Sequence, residues 1–196
     1  MSTTAKGAVV VATLDYLRTV HGDVVADAVM ERISPGTHSA FDRAGATGEV
    51  PLALVYELWR AADALLASSH PAWMEEAGAH SITSKGMQLY GGIVQKSTPM
   101  AFLSQPVSLF RLFYHSGEMD VIEREDGRAV LRLHEFTDAD ALFCRRQTGG
   151  LHRALELAGG RDAAVRHVRC ACDGDAFCEW ELTWTDAPEA KKHLTV

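Results

Sequence analysis

Five side chains in the last third of the chain have the types and spacing of metal ligands: Cys144, His167, Cys170, Cys172 and Cys178. Three of the four cysteines fall within the nine residues from Cys170 to Cys178. Thiolate sulfur and imidazole nitrogen are the donors that zinc takes in structural sites, four at a time and tetrahedrally. The first residues, Met1 to Gly7, carry one lysine and no long apolar run before a small-residue cleavage site, so a cytoplasmic, reducing setting is expected. Cysteines gathered this closely in such a setting read as metal ligands, against the blander reading of small buried thiols in a hairpin. Four protein ligands leave no open position for water, so the predicted zinc is structural rather than catalytic. Glu179 and Glu181 lie close enough in sequence to suggest a general base, and read better as solvated strand residues.

The elements that must hold these ligands follow from periodicity. Residues 163–172 and 177–184 alternate as strands around Asp173-Gly174-Asp175, so a tight turn brings Cys170, Cys172 and Cys178 together. A helix capped by Thr137 or Asp138 and running to Ala158 carries an inward stripe of Cys144, Thr148, Leu151 and Leu155, aimed at the same spot. In an ideal strand Cys170 and Cys172 share a face and His167 faces away from Cys170, so local geometry favours Cys172 as the fourth ligand.

Upstream, Met119–Glu125 and Ala129–Phe136 alternate around Asp126-Gly127, a strong hairpin signal. Everything before Gly117 reads as helices. Stripes run through Val10, Leu14 and Leu17, through Val25 to Ile33, and through Leu54, Leu58, Ala61 and Leu65. Pro71, Thr83 or Ser84, Thr98-Pro99 and Pro106 mark further helix starts, and Ser34-Pro35-Gly36 reads as a breaker. Gly91-Gly92 is expected to mark close helix packing. The order is helices, then β-β-α-β-β: an α+β fold, with an N-terminal helical layer on a C-terminal four-stranded antiparallel sheet. Residues 1–186 are expected to form one ligand-binding domain, with 187–196 as a polar tail.

The spacing Cys144, His167, Cys170, Cys178, with Gly149 after the first cysteine and the closing Cys-x-Cys-x-Gly-Asp-x-x-Cys-x-Trp, resembles the 4-vinyl-reductase-type small-ligand-binding domain. That family supplies the sensor half of phenol- and toluene-responsive activators and is related to the heme–nitric-oxide-binding fold. The resemblance is sharp from about Leu142 to Trp184. It implies a zinc site with Cys144, Cys170 and Cys178, and His167 where the family has an acidic residue. That choice requires the strand to bulge or end between His167 and Cys170. It also implies a sensor rather than an enzyme, with the zinc as cofactor, a small apolar or aromatic molecule as ligand, and a second copy or a separate output protein as partner. Trp59, Tyr90, Phe110, Phe113 and Tyr114 are the residues expected to wall the ligand between helices and sheet.

The same relationship raises heme as a rival. The helix before the sheet has Phe110 at or near the place of the proximal histidine, and the chain has no Tyr-x-Ser-x-Arg. His115 and His80 are the remaining candidate ligands, and the expectation is a protein isolated without heme. An enzyme acting on a hydrophobic or tetrapyrrole substrate and a ligand-free scaffold are the other readings. No Gly-x-Ser-x-Gly, phosphate loop or dinucleotide-binding glycine pattern occurs. The net charge of −7 opposes non-specific binding to nucleic acid or anionic membrane.

Overall fold

The computed structural model describes residues 3–83, 98–103 and 106–186. The chain starts with a short strand β1 (Thr4–Lys6), then α1 (Ala8–Tyr16), which runs directly into a π-helical turn over Leu17–His21. Helices α2 (Asp23–Met30) and α3 (Pro35–Ala44) follow, and strand β2 (Glu49–Pro51) returns to pair antiparallel with β1. Ser34-Pro35 proves to be the start of a helix rather than a break. The Ser34 hydroxyl accepts from the Thr37 backbone N–H while Pro35 occupies the first turn, where its missing N–H has no intrahelical partner to lose.

Helix α4 (Leu52–Leu66) buries Leu52, Val55, Tyr56, Leu58, Trp59, Ala62 and Leu66, the stripe of an amphipathic helix laid on a core. Helix α5 (Trp73–Thr83) and the short α6 (Pro99–Phe102), capped by Thr98, complete the first part of the helical layer, and α7 (Pro106–Phe113) leads to the sheet. The Met87, Tyr90 and Val94 helix and the Gly91-Gly92 contact lie outside the described residues.

The sheet is antiparallel, in the order β3 (Glu118–Glu125), β4 (Arg128–His134), β6 (Cys178–Asp186), β5 (Gly160–Arg169), with α8 (Ala141–Leu157) between β4 and β5. The fold is therefore α+β, helices followed by a four-stranded antiparallel sheet. Gly127 adopts φ 76° in the two-residue β3–β4 turn, a conformation that strains any residue with a Cβ. On β6, Cys178, Trp180, Leu182 and Trp184 are buried against the helices. Glu179 and Glu181 pair instead with arginines, Glu179 with Arg132 at 2.7 Å and Glu181 with Arg128 at 2.9 Å. Those carboxylates are spent on ion pairs and offer no base to the cysteine site.

Helix α8 starts at Asp140, later than the Thr137 or Asp138 cap expected from sequence, and the Asp140 carboxylate accepts from the Leu142 backbone N–H. Cys144, Leu151 and Leu155 are buried, as the stripe requires. A second buried edge of α8, Gly149 and Gly150, meets α5 at Gly78. There the backbones approach so closely that a Cβ on Gly149 would overlap the Glu75 carbonyl, and one on Gly78 would overlap the Arg146 carbonyl. Among the described residues no helix is long and apolar enough to cross a membrane.

Candidate functional site

Cys144 on α8, His167 on β5, Cys170 just beyond it and Cys178 at the start of β6 bring their ligand atoms within 4.8 Å of one another. Strand β5 ends at Arg169, and its pairing with β6 slips between His167 and Arg169. That irregularity cancels the alternation that would send His167 and Cys170 to opposite faces. The chain then tightens into a 3₁₀ turn, Ala171–Asp173, instead of continuing as strand to Cys172. Cys172 is exposed at that turn, although its thiol still interacts with those of Cys170, Cys178 and Cys144. The turn is tied by backbone N–H groups of Asp173 and Asp175 donating to the Cys170 carbonyl, and by the Asp175 carboxylate accepting from the Cys170 N–H at 2.8 Å.

The donor set suits a tetrahedral ion. The Cys144 and Cys178 sulfurs are 3.6 Å apart; two thiolates on one zinc would stand roughly 3.8 Å apart at the usual bond lengths. The His167 imidazole stacks on Trp180, with ring centroids 4.7 Å apart, and its Nε2 is buried with no hydrogen-bond partner. A buried ring nitrogen without a partner beside three thiols is the signature of a missing metal bond. The contact with Cys144, nearby His167 and the Ala171 N–H, which donates to the Cys178 sulfur, lower the Cys178 thiol pKa despite burial. The Cys144 thiol is pushed up, first by that bond and then by burial. A metal ion takes such thiols as thiolates, displacing their protons. Cys172 is exposed and lies outside the group whose ligand atoms come within 4.8 Å of one another. Cys172→Ser should therefore leave metal content unchanged and move stability by no more than about 0.5 kcal/mol, checked by metal analysis and thermal melting.

Behind the cysteines, the Trp180 indole N–H donates to Thr148, whose hydroxyl donates to the Cys144 carbonyl. These bonds lock the α8 side of the cluster to the sheet.

The residues expected to wall a ligand divide. Phe110 and Tyr114 are buried in one aromatic group with Phe136 and Phe143, Phe110 on Tyr114 at 5.2 Å and Phe136 on Phe143 at 4.6 Å. Trp59 is fully buried, its indole N–H donating to Thr13 at 3.2 Å. Phe113 is half-buried, and Tyr90 lies outside the described residues. The side chain that joins Trp59 to the aromatic group is one the sequence did not single out: Arg146, whose guanidinium lies 5.4 Å from the Trp59 ring centre and interacts with the Tyr114 hydroxyl. It follows Arg145 in an apparently polar pair, so nothing in its spacing marks it as buried. The two candidate heme histidines face elsewhere: His115 pairs with Glu49 at 3.1 Å and His80 with Asp15 at 2.7 Å.

No family model matches the chain, and no curated protein gives a significant match. The 4-vinyl-reductase likeness therefore rests on the spacing of residues alone. Solved structures do match. An H-NOX protein from S. oneidensis, in its Fe(II)NO ligation state, superposes with a TM-score of 0.71 at 13% identity, covering 92% of this chain and 99% of that one. The unliganded Fe(II) H-NOX protein from K. algicida gives 0.68 at 9% identity, covering 93% and 97%. A structure from a study of heme distortion in the H-NOX family gives 0.68 at 12% identity, covering 95% and 99%. At these identities the likeness concerns architecture, and over more than nine-tenths of its length this chain has the heme–nitric-oxide-binding fold.

Proposed function

We propose that the chain is a small-ligand-binding sensor domain. The observation that carries this reading is the likeness to H-NOX proteins, which covers nearly the whole of both chains. The neighbours are described by their heme and its iron ligation state, and that supports the heme-based gas sensor above the zinc-bearing sensor of apolar molecules. The described residues of this chain do not fit a histidine-ligated heme, however. Phe110 fills the inward position of α7, and His115 and His80 are held by surface carboxylates. That observation favours a second reading, a heme-free sensor whose ligand is an organic molecule held between α4, α7 and α8.

One experiment separates the two. The protein is expressed with heme supplied, and its Soret absorption is measured against protein concentration. A band at one heme per chain carries the gas-sensor reading; because His115 is turned away, that band is expected to be unchanged in His115→Ala. Absence of the band, together with a thermal shift from small organic compounds, carries the heme-free reading. Absence of the band together with no shift from any compound class would overturn the sensor reading.

The cysteine cluster supports a further part of the reading: a structural zinc held by Cys144, His167, Cys170 and Cys178, with Cys172 outside it. The orphaned His167 nitrogen and the sulfur spacing support that assignment. The ion would clip α8 to the ends of β5 and β6 and so brace the aromatic side of the helix.

A further inference from the structure

Arg146 is only 5% exposed, and its Nη1 is buried with no hydrogen-bond partner. No carboxylate is paired with it among the described residues. Its neighbour Arg145 shows what ordinary pairing looks like on the same helix: that guanidinium reaches Glu75 at 2.7 Å and Asp63 at 3.9 Å. Arg146 instead points the other way, into apolar surroundings, with the Trp59 ring on one side and the Tyr114 hydroxyl on another. Tyr114 in turn stacks on Phe110 and packs edge-on against Phe143. Burial lowers the Arg146 pKa and Tyr114 opposes that, so among the described residues no anion offsets the charge. An unpaired buried cation is costly, and an apolar side chain of similar volume would often serve the fold as well or better. Its backbone cannot swing away, because the Arg146 carbonyl lies against Gly78.

We propose that Arg146 is the counter-ion for the carboxylate of the ligand, which makes the ligand an apolar or aromatic acid. The inference rests on the sensor reading and narrows it. The carboxylate would accept a charge-assisted hydrogen bond from Nη1, with the Tyr114 hydroxyl beside it, while the rest of the molecule lies against Trp59, Phe110 and Phe143. A free organic acid and the propionate of a porphyrin share this chemistry.

The test is a thermal-shift series on the whole chain. Benzoate, phenylacetate and decanoate are compared with benzyl alcohol, phenylethanol and decanol, and protoporphyrin IX with its dimethyl ester. The acids are expected to raise the melting temperature and their uncharged counterparts to do so less or not at all. A response confined to the porphyrin pair would assign the carboxylate to a propionate, and one confined to the small acids to a free acid. In Arg146→Met the preference for acids should vanish while the ligand-free protein melts at or above the parent. Should that variant fail to fold, Arg146→Lys keeps the charge without the planar fork and should bind the same acids at least tenfold more weakly. Equal shifts from acids and alcohols, or an acid preference that survives in Arg146→Met, would overturn the inference and leave the sensor reading standing. No shift from any compound would overturn both.

Discussion

Cys178→Ser is expected to release the metal and to lower the melting temperature by tens of degrees. Cys178 opens β6, and its sulfur lies together with Cys144 on α8, His167 on β5 and Cys170 just beyond β5. A structural zinc adds on the order of 10 kcal/mol to folding when its ligands are otherwise unconnected, and about 2–4 °C of melting temperature follows each kcal/mol in a chain of this size. Metal analysis of protein purified without added zinc should give close to one ion per chain for the parent and none for the variant. Chelation of the parent should reproduce the variant's melt. Four freely titrating thiols in a metal-free parent that melts like Cys178→Ser would sink the clip.

Gly149→Ala should also be strongly destabilising, by a smaller amount and for an unrelated reason. A single methyl there would overlap the Glu75 backbone in the first turn of α5, and helical backbone, unlike a side chain, cannot rotate aside. The helices α5 and α8 would have to move apart, opening the interface that holds Trp73, Met74 and Ala77 in the core. Overpacking of this kind costs about 3 kcal/mol or more when no side chain can rotate aside. Gly150→Ala is the control. Its new Cβ would stand 3.6 Å from the Gly78 carbonyl oxygen, an ordinary contact; helix propensity alone would then stabilise by up to about 1 kcal/mol. Denaturant unfolding of the two variants should move in opposite directions. Equal effects would mean that the helix contact is looser than the backbone geometry indicates.

The contrast between adjacent glycines shows where sequence reading reaches its limit. The period of two around Asp126-Gly127 and Asp173-Gly174-Asp175, and the stripe of Cys144, Leu151 and Leu155, were legible because burial imposes them directly on residue type. The fold class and the order of the elements along the chain followed. The pairing of β1 with β2 was not legible, because three-residue strands carry no period and Thr4–Lys6 finds its partner 45 residues away. Helix α3 was hidden because Ser34-Pro35-Gly36 serves equally as a breaker and as a cap. At the cysteines, an ideal strand pointed to Cys172, and only the slipped pairing after His167 and the 3₁₀ turn place it in solvent. Arg146 was invisible for a similar reason. Two successive arginines look alike on paper, and only the helix rotation that puts Gly149 against α5 sends one to Glu75 and the other into the core.

The short strand β1 has a further consequence, for the order in which the chain can acquire its structure. Besides pairing with β2, it bridges Ala5 to Tyr114, and the His115 backbone N–H donates to the Thr4 carbonyl. The Thr3 hydroxyl reaches Ser116, 113 residues on, and Asp138, 135 residues on. Such contacts carry the largest loop-closure entropy in the molecule, so they form late. A chain emerging from the ribosome can pair Thr4–Lys6 with β2 early, but that segment must wait for its second set of partners, Tyr114 to Ser116, until α7 has been made. The earliest-made strand thus completes its contacts among the last, where it meets the end of the helix that carries Phe110 and Tyr114.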